Sequence, residues 1–508
     1  MSTRPYFAVA AQGIEAITAG ELTRLGALNV RAVNGGAHFE CDQRMLYQIL
    51  LWTRTATRIF CPLREFAAAS PEMLYSQSRR VRWEDFLSPK HTFAVHATSD
   101  STYRQTGRTS SRGDDRYGSD RGRGRRPEQG RYSNSRSGSG DRRYGSPPGR
   151  GDRGSQGRGD ESPGGLTNTQ YAALKIKDAI ADRLRREMGS RPNVDTENPD
   201  FKIHAHFSGG RCILSLDASG DSLHERGYRV ASMEAPIKET LAAAMIELSG
   251  WTGQMPLLDP MCGSGTIVIE AALKALNIAP GLERERFACH RWPDFDGSVW
   301  ADVLSEARRA RKPRLDVPIF ANDLDPINAT YSKANAQRAG VADVITFSTG
   351  DATQMPRPVA TNGLILTNPP YGERLGDEES VGRLYEQLGQ HWLAEYQGWT
   401  AGVLCGNLAI ARRFPLEAVE KFPLRNGPLT ARLLMFPIRP QPQAATESPA
   451  NTAVPAPIAE AVLSEPVSSG PASDLTAIEM DPAASRFVPE AATVEGELPP
   501  GEDIRPLD

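Results

Sequence analysis

Four segments in the second half of the chain carry residue types that could together hold and use a nucleoside cofactor. Asp259 ends the apolar run PLLDP (256–260), directly ahead of the loop Cys262-Gly263-Ser264-Gly265-Thr266. Asp323 closes a second run, VPIFANDLD (317–325), and Asp351 a third, VITFSTGDA (344–352). Asn368-Pro369-Pro370-Tyr371 closes a fourth, GLILTNPPYG (363–372). Glycines let backbone approach a ligand closely. The third glycine of a G-x-G-x-x-G fingerprint is missing and no G-K-[ST] follows, which excludes the NAD signature and the P-loop. The acids then sort by chemistry: Asp259 can accept from a cationic amino group, Asp323 from both ribose hydroxyls, and Asp351 from an adenine amine. A strand-end Asp is about as often just a helix N-cap. Three in succession describe a pocket for a cationic amino-acid nucleoside, S-adenosylmethionine.

Asn368 to Tyr371 suit methylation of an exocyclic amine, which is a poor nucleophile while conjugated to a ring. The Asn368 side-chain oxygen and the Pro369 carbonyl can accept its two N–H groups and turn its lone pair toward a methyl sulfonium, a mechanism of positioning and electrostatics. Two prolines fix the backbone that presents the carbonyl, and Tyr371 can stack on an extruded base. No metal site is read from the sequence: His204 and His206 share one side of a strand, but no third ligand accompanies them.

These residues need strands that end together. The runs above alternate with helical stretches at 267–278, 328–340 and 381–396, then a strand at 400–405 and a closing pair around 420–438. That is the pattern of an open, doubly wound α/β sheet with its ligand at the carboxyl ends of the strands. The first block reads as short α/β units: a strand at 6–11, a helix at 14–27, a hairpin over 30–41 and a helix through 45–60. Further on come a helix at 166–189, with Ala173, Ile176, Ile180 and Leu184 on one face, and paired strands at 202–208 and 212–219.

The chain has 508 residues and a formal net charge of -3, which conceals strong segregation. Between 101 and 165 there are 15 Arg, no Lys and 8 acids, interleaved with Tyr103, Tyr117, Tyr132 and Tyr144. Arg pairs phosphates and stacks on bases, so this disordered, Arg/Gly/Ser-rich insert reads as an extra contact to single-stranded RNA; the plainer reading is a solvated loop insertion. From 441 to 508 there are 12 acids and 2 Arg in a Pro/Ala/Glu-rich tail, read as a disordered spacer. No run of ~18 apolar residues offers a transmembrane helix. Six cysteines without a CxxC pair fit a reducing cytoplasm.

With DPMCGSGT, ANDLDP, GDAT and TNPPYGERL in place, the chain resembles the amine-methylating class I S-adenosylmethionine-dependent methyltransferases. HERGYR (224–229) and APIKETLAAAM (235–245) narrow the likeness to the THUMP-containing RNA guanine-N2 methyltransferases. GGAHFECDQRMLYQILLWTRTATRI (35–59), QYAALKIKDAI (170–180) and RPNVD (191–195) resemble the N-terminal half of the 23S rRNA methyltransferase L family. The resemblance implies a ferredoxin-like segment (1–43), a THUMP domain (44–219) interrupted by the insert at 101–165, and a Rossmann-like methyltransferase domain (220–440). It also implies that Asp259, Gly263, Ser264, Gly265 and Thr266 hold the methionine end of the cofactor. Asp323 takes the ribose, Asp351 the adenine, and Asn368, Pro369, Pro370 and Tyr371 the target guanine amine. In some relatives a second methyltransferase domain follows; here the tail stands in its place, so that second activity is expected to be absent. A segment at 280–316, with RWPDFD (291–296), has no role in this reading.

The expected function is N2-methylation of a guanine in 23S rRNA, free or in a ribosome assembly intermediate. A tRNA guanine-N2 methyltransferase is the nearest alternative. Adenine-N6 methylation of DNA or glutamine-N5 methylation of a protein would also suit NPPY but would not need the first block. From another class comes an RNA-binding or chaperone protein acting through the Arg/Gly arm.

Overall fold

The computed structural model describes residues 3–100, 168–230, 236–372 and 377–439. The Arg/Gly insert and the acidic tail lie outside the described residues. The first block contains β1 (Arg4–Val9), α1 (Glu15–Arg24), β2 (Leu28–Val33), β3 (Gly36–Cys41), α2 (Gln43–Trp52), β4 (Arg58–Ala67), α3 (Pro71–Ser78) and β5 (Thr92–Ser99). It continues with α4 (Thr169–Met188), β6 (Asn193–Val194), β7 (Phe201–Ser208) and β8 (Arg211–Asp217). All eight strands form one sheet in the order β2-β3-β1-β4-β8-β7-β5-β6. The ferredoxin-like and THUMP modules therefore share a single sheet, joined where β4 pairs with β1 on one side and β8 on the other. β7 shows why one face is core: Phe201, Ile203, Ala205 and Phe207 are buried at period two.

Two local readings are corrected. The helix expected through 45–60 stops at Trp52, and β4 begins at Arg58. The Glu21 carboxylate ends it by accepting from the backbone N–H groups of Arg54 (2.6 Å) and Thr55 (3.1 Å), so this backbone finds partners outside a helix. On α4 the buried stripe runs through Ala172 rather than Ala173, with Ile176, Ile180 and Leu184 as expected. The Asn168 side chain caps that helix by accepting from Tyr171 N–H (3.1 Å).

The second block holds α5 (Glu239–Leu248), β9 (Leu257–Asp259), α6 (Thr266–Ala275), α7 (Gly297–Arg309), β10 (Ile319–Asp323), α8 (Pro326–Arg338) and β11 (Ile345–Thr349). It ends with β12 (Leu364–Thr367), α9 (Asp377–Glu395), β13 (Thr400–Cys405), α10 (Leu408–Ala411), β14 (Glu420–Asn426) and β15 (Leu429–Pro437). The sheet order is β11-β10-β9-β12-β13-β15-β14. β9 to β13 are parallel, and β15 joins antiparallel to β13 and β14. This is the doubly wound, Rossmann-like arrangement expected. Strand order reverses at β9, with β10 on one side and β12 on the other, which is where such sheets bind ligands. Among the described residues no helix is long and apolar enough to cross a membrane.

Candidate active site

The glycine loop turns from β9 into α6 through two left-handed residues, Gly263 (φ +53°) and Gly265 (φ +84°). They are glycine for different reasons. A Cβ on Gly265 would lie 2.2 Å from Ser332 Oγ, so α8 packs against bare backbone there. A Cβ on Gly263 would meet nothing within 4 Å, leaving open space above the loop.

Several side chains fix the loop. Asp323 Oδ2 accepts from Gly263 N–H (2.8 Å), while its Oδ1 accepts from Asp325 N–H and Asn328 Nδ2 (both 3.0 Å). The N-cap of α8 is Asp325 rather than Asp323, so the carboxylate of Asp323 serves the loop. Asn322 ties neighbouring strand ends together by donating to the carbonyls of Pro260 (3.1 Å) and Gly350 (2.9 Å). Asp351 accepts from the Thr353 amide and hydroxyl (both 2.8 Å), and the amide bond in particular holds its carboxyl below the usual range. It is solvent-exposed just past β11.

The sequence reading missed the residues that grip the loop from outside. Arg229, in HERGYR, donates to Ser264 Oγ (2.9 Å) and Thr266 Oγ1 (3.0 Å) while paired with the buried Glu239 carboxylate (2.8 Å). Asn335 Nδ2 donates to the Ser264 carbonyl (3.0 Å). These partners lie 35 to 71 residues from the loop positions they bind, and only an unusual density of polar residues in apolar surroundings could have flagged them.

Asp259 is 1% exposed, and burial, with the Asp323 charge adding to it, pushes its carboxyl up to about 7. With no cation beside it among the described residues, this buried carboxyl suits a positively charged ligand. That carboxyl and the open space above Gly263 fit the methionine end of S-adenosylmethionine.

Asn368 to Tyr371 follow β12, the strand beside β9. The Tyr371 hydroxyl donates to Asn368 Oδ1 (2.5 Å), and Asn426 Nδ2 donates to the same hydroxyl (3.4 Å). The buried Tyr385 donates to the Pro370 carbonyl (2.9 Å) and braces the turn. The Tyr371 ring lies so close to Gly406, just past β13, that a methyl there would fall 2.6 Å from its Cδ2. A Gly406→Ala variant is therefore expected to displace the ring and slow methyl transfer about tenfold or more, with cofactor affinity unchanged. Equal turnover by variant and wild type in a single-turnover assay would show that the ring position is immaterial.

The chain has counterparts among known proteins. Residues 5–60 match the RlmL ferredoxin-like domain, 165–217 the THUMP domain, and 226–434 the family described as RMKL-like, methyltransferase domain. A Synechocystis protein named "Putative RNA methyltransferase" is 35% identical over 435 residues, covering 86% of this chain and 97% of its own. A Shewanella frigidimarina "Ribosomal RNA large subunit methyltransferase K/L" is 36% identical over 428 residues, covering 84% of this chain but 51% of its own. The chain thus spans about half the length of that relative. A solved "putative methyltransferase complexed with SAH" superposes with a TM-score of 0.68 at 28% identity, over 87% of this chain and 99% of that one.

Proposed function

The chain belongs to the THUMP-containing, RlmK/L-like family of S-adenosylmethionine-dependent methyltransferases, and on that footing we propose that it methylates the exocyclic N2 amine of a guanine in 23S rRNA. The observation that carries the proposal is the placing of Asp259 and Asn368 at the carboxyl ends of two adjacent parallel strands, β9 and β12, in a chain whose first block matches a THUMP domain.

Bound S-adenosylmethionine supplies a methyl group on a sulfonium. The residues proposed to hold it are Asp259, Gly263, Ser264, Gly265 and Thr266 at the methionine end, Asp323 at the ribose and Asp351 at the adenine. Asn368 Oδ1 and the Pro369 carbonyl accept the two N–H groups of the guanine amine and aim its lone pair at the methyl carbon. The N–C bond forms as the C–S bond breaks, the thioether leaves, and the extra proton passes to water. No strong base is required, because the proton becomes acidic only as the nitrogen gains positive charge. Tyr371 stacks on the extruded base once its hydroxyl leaves Asn368.

Labelled methyl transfer to unmodified 23S rRNA and to tRNA, followed by nucleoside analysis, tests this reading. N2-methylguanosine in rRNA alone is expected. Label in tRNA alone moves the substrate to the alternative, and label in neither overturns the proposal.

Asp259 makes cofactor binding pH-dependent. Burial pushes its carboxyl up to about 7, and only the ionised form attracts an ammonium or sulfonium. Affinity is expected to rise with pH and to be about tenfold weaker at pH 6 than at pH 8. Asp259→Asn should bind more weakly at pH 8 and lose most of that slope, and calorimetry across the range would expose a slope that survives. The stability term has the opposite sign. A carboxyl raised on folding stabilises the free protein most below its unfolded value, and that contribution is lost as pH rises toward 7.

A further inference from the structure

A second cavity, of about 270 Å³, lies between the first sheet and the segment that carries RWPDFD. None of the residues assigned to the cofactor or to methyl transfer lines it. Its walls are Tyr6 on β1, Tyr47 on α2, and Trp292 and Phe295 from the methyltransferase half, with the buried thiols of Cys41 and Cys289 also lining it. Tyr6 is only 3% exposed and stacks on Phe39 (centroids 5.6 Å apart, 23°). Its hydroxyl makes no hydrogen bond to the described residues and keeps some exposure of its own. The Tyr47 hydroxyl, by contrast, accepts from Asp296 N–H (3.0 Å).

At the rim, Arg4 Nη1 and Asp294 Oδ2 pair at 2.7 Å, each side chain about half exposed. Gln43 Nε2 holds the Asp294 carbonyl. Three of the six RWPDFD residues thus line this one cavity.

We propose that the cavity takes an unstacked guanine of the RNA substrate, distinct from the guanine that is methylated. This rests on the reading of the chain as an RNA methyltransferase. Sequence-specific RNA recognition works chiefly through unstacked bases sandwiched by aromatic rings and read along their Watson–Crick edges. The volume lies just below the usual small-molecule range, which suits a base better than a whole nucleotide. Guanine presents the O6 acceptor beside the N1–H and N2–H donors. A guanidinium next to a carboxylate complements that order: Arg4 donates to O6 and Asp294 accepts both N–H groups. Adenine and cytosine carry the opposite order, and uracil has no amino group. Because the walls come from both halves of the chain, the bound base would bridge the RNA-docking module and the methyltransferase domain.

The test uses the full chain and an unmodified 23S rRNA transcript with part of its guanosine replaced by 6-thioguanosine. The complex is irradiated and the crosslinked peptides are mapped. Crosslinks are expected at Tyr6, Tyr47, Trp292 or Phe295, and Asp294→Ala should cut their yield at least fivefold. The same variant should raise the KM for RNA about tenfold while leaving kcat and cofactor affinity unchanged. Tyr6→Phe, which keeps the ring and the fold, should also lower the yield and raise that KM. Crosslinks confined to other peptides, or wild-type KM values in both variants, would overturn the proposal. Labelled methyl transfer measured on the same mixture reports separately on function. Methylation without crosslinks in the cavity sinks the guanine pocket alone, and crosslinks there without methylation sink the assigned reaction alone.

Discussion

Asn368→Ala is expected to lower the rate of methyl transfer by about 10²–10³-fold, the usual cost of deleting one preorganised polar group that acts in the transition state. In the proposed mechanism its oxygen accepts from the amine as charge appears there, so the loss is expected in kcat rather than in binding. Affinities for S-adenosylmethionine and for RNA should stay within about twofold, since neither cofactor nor RNA backbone is proposed to touch this side chain. The Tyr371 hydroxyl complicates the simplest version of the argument, because in this structure it already donates to Asn368 Oδ1 at 2.5 Å. The same oxygen must be freed before the guanine amine can use it. Tyr371→Phe separates the two roles: it frees the oxygen and keeps the ring, so most of the turnover should survive. If Asn368→Ala retains turnover within about tenfold of wild type under single-turnover conditions, the amine-orienting role is wrong. If Tyr371→Phe is as damaged as Asn368→Ala, the hydroxyl takes part in the chemistry itself.

The candidate site was legible because a parallel sheet writes its ligand face locally. β9 to β12 are short strands, and each ends at or just before a polar residue that can do chemistry, so Asp259, Asp323, Asp351 and Asn368 gather along one edge of the sheet, in the strand order β11-β10-β9-β12. α8 was legible for the same reason, with Asp325 at its N-cap and Pro326 in its first turn. The first block was less so. Its sheet depends on β4 pairing with β8 across about 150 residues, and nothing in either strand's own pattern names its partner. The end of α2 was misplaced because Thr53 and Thr55 leave the helix for Glu21, which lies more than 30 residues earlier. Arg229, quoted only as part of HERGYR, showed no sign in its own segment of the bonds it makes to Ser264 and Thr266. What pattern shows is period and punctuation; what it conceals is which distant polar group will satisfy a buried one.

The strongest such case lies behind the glycine loop and carries the largest expected effect on stability. Glu270 sits on α6 with its side chain fully buried, faced by Arg226 (3.6 Å) and by the Tyr228 hydroxyl (3.1 Å). Arg54 is also buried and donates to the carbonyls of Leu273, in the last turn of α6 (3.4 Å), and Ile278, just beyond it (2.7 Å), while Arg226 donates back to the Arg54 carbonyl (2.5 Å). Burial lowers the pKa of Arg54 and raises that of Glu270; the Glu270 charge opposes the first shift, and the charges of Arg226 and Arg54 oppose the second. Glu270 therefore helps to compensate two guanidiniums, one from each block of the chain, with Glu21 and Glu247 adding to its effect on Arg54. Arg54 Nη1 and Arg226 Nε already lack hydrogen-bond partners, so no spare acceptor stands by. Glu270→Ala should leave buried charge uncompensated at a cost of about 3–5 kcal/mol, and the thermal midpoint of the full chain should fall by roughly 10 °C. A fall of less than about 2 °C would mean that the guanidiniums find water or other partners. Glu270→Gln keeps the volume and one acceptor while removing the charge, so it should lose most of the same stability if charge is what matters. It should lose little if hydrogen bonding alone suffices. Because α6 begins at the glycine loop, the same pairing ties the first block of the chain to the helix that leaves that loop. Partial loss of that tie in the Gln variant should then appear as weaker S-adenosylmethionine binding at temperatures well below unfolding.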